Sequence, residues 1–172
     1  MMRALLLSMA MLASAAPAHA ADPPKLAVFD FEMLDTSLEG QMHGKRADEE
    51  ARLMRSGDQA RKELAASGKF QVLDISPVNA AAHQSNLQAC GGCDAKLARQ
   101  LGADLEITGV VQKISSVILN IKLFLRDAHT GRLITVASAD TPGNTDEIWS
   151  HTMHYLVHER LLAPNYGRPQ AN

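Results

Sequence analysis

A chain of 172 residues with 17 basic and 19 acidic side chains, a net charge of −2 and 46% hydrophobic residues has room for one domain and enough apolar content to bury a core. That balance excludes wholesale disorder and argues against a nucleic-acid binder, which would carry a basic excess. No stretch reaches the roughly 20 apolar residues of a membrane-spanning helix.

Residues 1–20 place one cation, Arg3, before an apolar run at 4–16 and end on Ala18-His19-Ala20, a small-x-small cleavage pattern. They are expected to form a secretory signal peptide, cleaved near Ala20, that sends the chain to the periplasm. No Cys lies near that point, so a lipid anchor is not expected. Residues 21–163 are then expected to form a single α/β domain. The Pro-, Asn- and Gly-rich residues 164–172 are expected to form a flexible tail.

The segment LAVFDF at 26–31 predicts a first buried strand. Positions 35–44 carry turn formers and predict a loop. From Ala47 the apolar residues recur at helical spacing through Leu64, with Gly57 inside the pattern leaving open a break into two helices. Ser67-Gly68 is a helix stop. The segment FQVLDI at 70–75 predicts a second strand ended by Pro77, whose missing N–H suits a strand terminus. An Ala/Asn/Gln-rich connection at 78–89 follows, and then a short helix over 94–101 capped by Gly102. Partial alternation at 105–112, 117–126 and 133–140, separated by Ser115-Ser116 and by Ala128 to Gly131, predicts three antiparallel strands. Asn144 and Glu147 form a capping-box-like start to a last helix that runs to about Leu162. The expected fold is therefore α/β (α+β), a mixed β-sheet of order β-α-β-α-β-β-β-α with helices packed on it.

Two clusters could carry chemistry. Cys90-Gly-Gly-Cys93 stands before a helix, where a thiolate gains from the helix dipole and the free N–H groups. In an oxidising compartment the pair reads first as a small structural disulfide, with thiol-redox exchange and metal binding as alternatives. His151, His154 and His158 fall within about 60° on one helical face, opposite Trp149, Met153, Leu156 and Val157, which are expected to be buried. Two histidines four apart can chelate Zn²⁺, Cu²⁺ or Ni²⁺, while Tyr155 stands where an HExxH motif would need Glu. A plain solvated face is the competing reading. Asp30 and Glu32 are spaced like the strand-end acid pair of haloacid-dehalogenase-type phosphatases, yet no later acidic pair completes such a site. Ser37 and His43 lack a nucleophile-elbow context, and no Gly-rich phosphate loop occurs. Asp127 and Gly131 read as turn chemistry.

LAVFDF at 26–31, SGKFQVL at 67–73, LARQLGAD at 97–104 running into ITGVV at 107–111, and LFLRDAHTGRL at 123–133 together resemble the TolB amino-terminal-like fold, related to the curli-secretion lipoprotein CsgG and the penicillin-binding-protein activator LpoB. DTSLEG at 35–40, GCDAKLARQLGAD at 92–104 and GNTDEIW at 143–149 resemble, more narrowly, an uncharacterised family of secreted proteobacterial proteins. The resemblance implies a non-catalytic periplasmic accessory protein that binds an envelope or periplasmic protein partner. No catalytic residue and no cofactor is expected. A thiol-disulfide redox protein using Cys90 and Cys93, or a metal-binding protein using His151, His154 and His158, are the alternatives.

Overall fold

The computed structural model describes residues 22–166. The expected leader and positions 167–172 lie outside the described residues. Among the described residues the order is β1 (Lys25–Val28), β2 (Glu32–Asp35), α1 (Leu38–His43), α2 (Ala47–Ala66), β3 (Gln71–Val72), α3 (Ser76–His83), α4 (Cys93–Gln100), β4 (Leu105–Lys113), β5 (Leu119–Asp127), β6 (Leu133–Thr141) and α5 (Asp146–Tyr155). A π-helix over Leu156–Leu162 continues α5.

The strands form one mixed sheet in the order β3-β1-β4-β5-β6. β1 and β2 run end to end along one side of β4: β1 pairs in parallel with Leu105, Glu106 and Ile107, and β2 with Val110 through Lys113. β4, β5 and β6 form the expected antiparallel meander. Alternation sets its two faces. Leu119, Ile121, Leu123 and Leu125 point into a core shared with Leu53, Ala60 and Leu64 of α2 and with Trp149, Met153, Leu156 and Val157 of the last helix. On the other face a second core of smaller side chains, among them Ala27, Ala82, Ala98 and Ala103, packs α3 and α4 against β1.

The helix from Ala47 is unbroken, with Gly57 buried inside it. Ser67 closes it and Gly68 takes a left-handed φ of 65°. Several expected boundaries are corrected. The first strand stops at Val28, short of the expected Phe31, and Glu32–Asp35, which lies between that expected strand and the expected loop and overlaps the loop only at Asp35, is a separate strand. The expected loop at 35–44 contains α1, capped by the Ser37 hydroxyl, which accepts a hydrogen bond from the Gly40 N–H at 3.0 Å. The second strand shrinks to two residues, because the chain turns after Val72 into α3, where Pro77 occupies the first helical turn, a position that needs no N–H donor. The connection at 78–89 is accordingly helical up to His83. The cap of the last helix is Thr145, whose hydroxyl accepts from the Ile148 N–H, and not Asn144.

The seam between β1 and β2 has a steric cause. Phe31 lies across β4 at Gly109, and a Cβ on Gly109 would overlap the Phe31 ring. Phe31 is buried in the larger core, so the missing side chain lets the strand pair change without leaving a void. A polar pin holds the far end of the same seam. Lys113, at the end of β4, has a fully buried side chain whose ammonium lies 2.7 Å from Glu49 of α2, 3.0 Å from Glu39 of α1 and 3.4 Å from Asp35 of β2. Burial works against that ammonium, but the hydrogen bonds and charges of Glu49, Glu39 and Asp35 outweigh it and hold its pKa above the ordinary lysine value. Asn144 donates to the same Glu49 oxygen at 2.6 Å and accepts from the Trp149 indole N–H at 3.0 Å, which ties the start of the last helix to the cluster.

Replacing Gly109 with Ala overpacks the Phe31 contact and is expected to cost about 1–3 kcal/mol in urea unfolding, with no change in the meander's far-ultraviolet signature. Lys113→Met leaves the buried Glu49 carboxylate with only the half-exposed Arg46 at 3.9 Å as a cation and is expected to cost about 3–5 kcal/mol; a loss below about 1 kcal/mol in the same assay contradicts the pinning role.

Candidate functional site

An open cleft of about 1090 Å³ wraps around β2. Val110 and Gln112 of β4 and Lys122, Phe124 and Arg126 of β5 form its floor, the segment from His83 to Ala89 after α3 overhangs it, and Arg46 and Glu49 border its other end. β2 pairs only with β4 among the described residues, so its outer edge faces the cleft without a strand partner. Leu34 of β2 is 51% exposed, and Leu38 and Met42 on the adjoining α1 are exposed as well.

Charge in the cleft is mixed. Asp30 receives Arg61 at 2.9 Å and His83 at 3.0 Å. Glu32 accepts the Leu87 N–H at 2.9 Å, which holds the overhanging segment against the start of β2. The acids singled out as a phosphatase-like pair are thus used in structural contacts. Arg126 stacks 5.4 Å over the Phe124 ring and reaches Asp94 at 3.4 Å and Glu106 at 3.8 Å. Glu106 is fully buried, and neither of its carboxyl oxygens has a hydrogen-bond partner. Burial, reinforced by the nearby Asp94 charge and only partly opposed by Arg126, pushes its pKa up to about 8. Such perturbed acids gather at functional sites as well as in buried networks. Asp94 stands beside Glu106 as a second acid, and both share Arg126.

Cys90 and Cys93 are bonded as a disulfide with their Cα atoms 5.6 Å apart. Gly91 and Gly92 both take left-handed φ values, 69° and 104°, which closes the short ring and delivers Cys93 as the first residue of α4. The expected histidine cluster is resolved differently from its sequence spacing. His151 is 79% exposed and faces Glu147 at 3.8 Å. His154 and His158 stack with ring centroids 4.1 Å apart and meet Glu63 of α2, His154 Nδ1 at 3.4 Å and His158 Nε2 at 3.5 Å. Glu63, Glu106 and the cleft around β2 carried no sequence signal, because their partners lie on other elements. The Asp127 turn is as expected, its carboxylate accepting from the His129 and Thr130 N–H groups at 2.9 and 2.8 Å.

Residues 24–161 match the model of the family described as "Protein of unknown function (DUF2380)". The chain belongs to that family. No curated protein matches it. Among solved structures, this DUF2380 member is similar to the lipoprotein GNA1162 from Neisseria meningitidis, at 16% identity over 80% of this chain and 96% of that one, with a TM-score of 0.53. It is also similar to the LpoB C-terminal domain from Salmonella enterica, at 16% identity over 72% and 85% with a TM-score of 0.48. TolB from Acinetobacter baumannii matches at 14% identity over 83% of this chain and 29% of its own, with a TM-score of 0.44. The expected mixed-sheet fold is found in this DUF2380 chain, and no helix among its described residues is long and apolar enough to cross a membrane.

Because the Glu106 pKa stands above its value of 4.5 in the unfolded chain, the folded state holds the extra proton between about pH 4.5 and 8. Stability from this group is fully present below that window and falls as pH rises through it, by on the order of 1 kcal/mol per pH unit. Glu106→Gln is expected to flatten that part of the stability–pH curve, as read by urea unfolding between pH 5 and 8; an unchanged slope contradicts the assignment.

Proposed function

We propose that this chain is a non-catalytic accessory module of the bacterial cell envelope that acts in the periplasm by holding a protein partner along the outer edge of β2. The carrying observation is the open cleft beside an unpaired strand edge, rimmed by exposed Leu34 on β2. A bare strand edge offers a row of N–H and C=O groups to an incoming extended segment, and proteins that leave such an edge unprotected commonly use it for strand addition. The adjoining apolar side chains supply the burial that backbone hydrogen bonds alone do not. The signal-peptide pattern of residues 1–20 and the shared fold of a neisserial protein named as a lipoprotein support the compartment. The absence of an assembled nucleophile, base and oxyanion-stabilising set among the described side-chain contacts supports a binding role over a catalytic one. The Cys90–Cys93 bond serves as a staple that fixes the start of α4 beside the cleft floor.

Incorporating a photo-crosslinking residue at position 34 and irradiating the chain in its native periplasm is expected to yield adducts with one discrete envelope protein, while the same residue at exposed Leu133 on the opposite sheet edge yields few. A charge at the edge, in Leu34→Glu, is expected to weaken capture of that partner on the order of 10-fold or more. Equal labelling from both positions, or none from position 34, rules the reading out.

A further inference from the structure

The geometry points to a divalent transition-metal site formed by Glu63, His154 and His158, on the outer surface where α2 meets the last helix. It is separate from the β2 cleft and does not depend on the partner-binding reading.

Three observations converge. Each residue offers one ligand atom, and these atoms all lie within 4.8 Å of one another. His154 Nδ1 stands 3.4 Å from Glu63 Oε1 and His158 Nε2 stands 3.5 Å from Glu63 Oε2, so each imidazole faces its own carboxylate oxygen across a gap close to the roughly 3.3 Å ligand–ligand edge of a site whose ligands stand about 2.0–2.1 Å from Zn²⁺. The second observation is how the histidines come to share a face. The helix changes from α to π at Leu156, between His154 and His158, and Ala163 N–H donates to the His158 carbonyl at 2.9 Å in the wider i to i+5 pattern. Widening the turn brings the fourth residue nearly in line with the first, so the rings stack instead of fanning apart.

The third observation concerns Glu63. Its Oε2 is buried and lacks a hydrogen bond, while its Oε1 accepts from the Gln59 side-chain N–H at 2.8 Å. The same Gln59 amide donates to the Ser150 carbonyl at 3.0 Å. Gln59 therefore orients the carboxylate from behind, the arrangement that outer hydrogen bonds give to metal-ligating carboxylates. The unpartnered Oε2 faces His158 Nε2 at 3.5 Å, while His154 Nδ1 faces the Gln59-bonded Oε1 at 3.4 Å. Two imidazole nitrogens and one carboxylate oxygen form a borderline set suited to Zn²⁺, Ni²⁺ or Cu²⁺ and unsuited to Ca²⁺ or Mg²⁺, which prefer all-oxygen shells. His154 is 60% exposed and His158 41%, so a bound ion would reach solvent and keep a coordination position for water or for a side chain of another protein.

Titrating the untagged, folded chain with ZnCl₂ and NiCl₂ in a calorimeter is expected to show one saturable site. His154→Ala, His158→Ala and Glu63→Gln each weaken it by about 10-fold or more, and Gln59→Ala about 10-fold, whereas His151→Ala leaves it unchanged. In the unmutated protein, Zn²⁺ is expected to shift the imidazole NMR signals of His154 and His158 and to leave those of His151 in place, which tests the site without any variant. Absence of saturable heat, or equal affinity in His154→Ala and the unmutated chain, overturns the proposal. So does a loss in His151→Ala as large as that in His154→Ala, because that pattern belongs to a loose histidine-rich surface.

Discussion

A single buried ammonium organises this domain. Lys113 ends the central strand with its side chain wholly out of water, a placement that costs several kcal/mol unless opposite charges and hydrogen bonds surround it. The carboxylates that surround it come from β2, α1 and α2, three elements that share little apolar surface at that end of the sheet. Meeting the electrostatic demand of Lys113 therefore fixes where β2 stops, how α1 folds back over it and at what angle α2 begins. Arg46, 2.9 Å from Glu39, and Asn144, 2.6 Å from Glu49, spread the excess acid charge and carry the same constraint on to the last helix. Such a cluster is poor at adding net stability but good at excluding alternative packings, since each misplaced element strands a buried charge.

The unequal cores follow from where the helices sit. On one face, α2 and the last helix bring Leu, Trp and Met side chains against the Leu-Ile ladder of β5, and the layer is thick. On the other, α3 and α4 approach β1 with Val78, Ala82, Leu97 and Ala98, a smaller set that leaves the meander only partly covered. Polar and aromatic residues on that side, Lys122, Phe124 and Arg126, floor the cleft. The cleft is thus a by-product of a short, small-residue helical layer that does not reach across the whole sheet. Glu106 and Asp94 lie where that layer begins, and there burial, reinforced by the Asp94 charge and only partly opposed by Arg126, favours the protonated carboxyl of Glu106.

What was readable in advance had a local cause. The meander showed itself by alternation, the long helix by its apolar spacing, and the turn at Asp127 by side-chain bonds to the N–H groups two and three residues on. The bonded cysteine pair and the histidine face were also visible, the first as Gly-Gly between two Cys, the second as spacing on a helix. The misses were short elements, among them α3, whose Ser-Pro start reads equally as a strand end and whose run of small residues has no clear apolar period. β2 and α1 are four and six residues long, and their existence rests on pairing with β4 and on the charge of Lys113. The Asn144 assignment failed for a related reason. A good helix cap in isolation, Asn144 is diverted to the Trp149 indole and to Glu49, and Thr145 caps in its place.

The sequence by itself determined the elements whose signal lies within one turn or one strand: the sheet's antiparallel half, the main helices, the close cysteine pair and the family to which the chain belongs. Only the tertiary structure decided which groups meet. It set Glu63 beside two histidines 91 residues or more away along the chain and left His151 outside. It also left one edge of β2 unpaired and closed three acids around Lys113. Those outcomes depend on the packing of distant segments, where burial energy and charge neutralisation act together, and neither leaves a periodic trace in the order of residues.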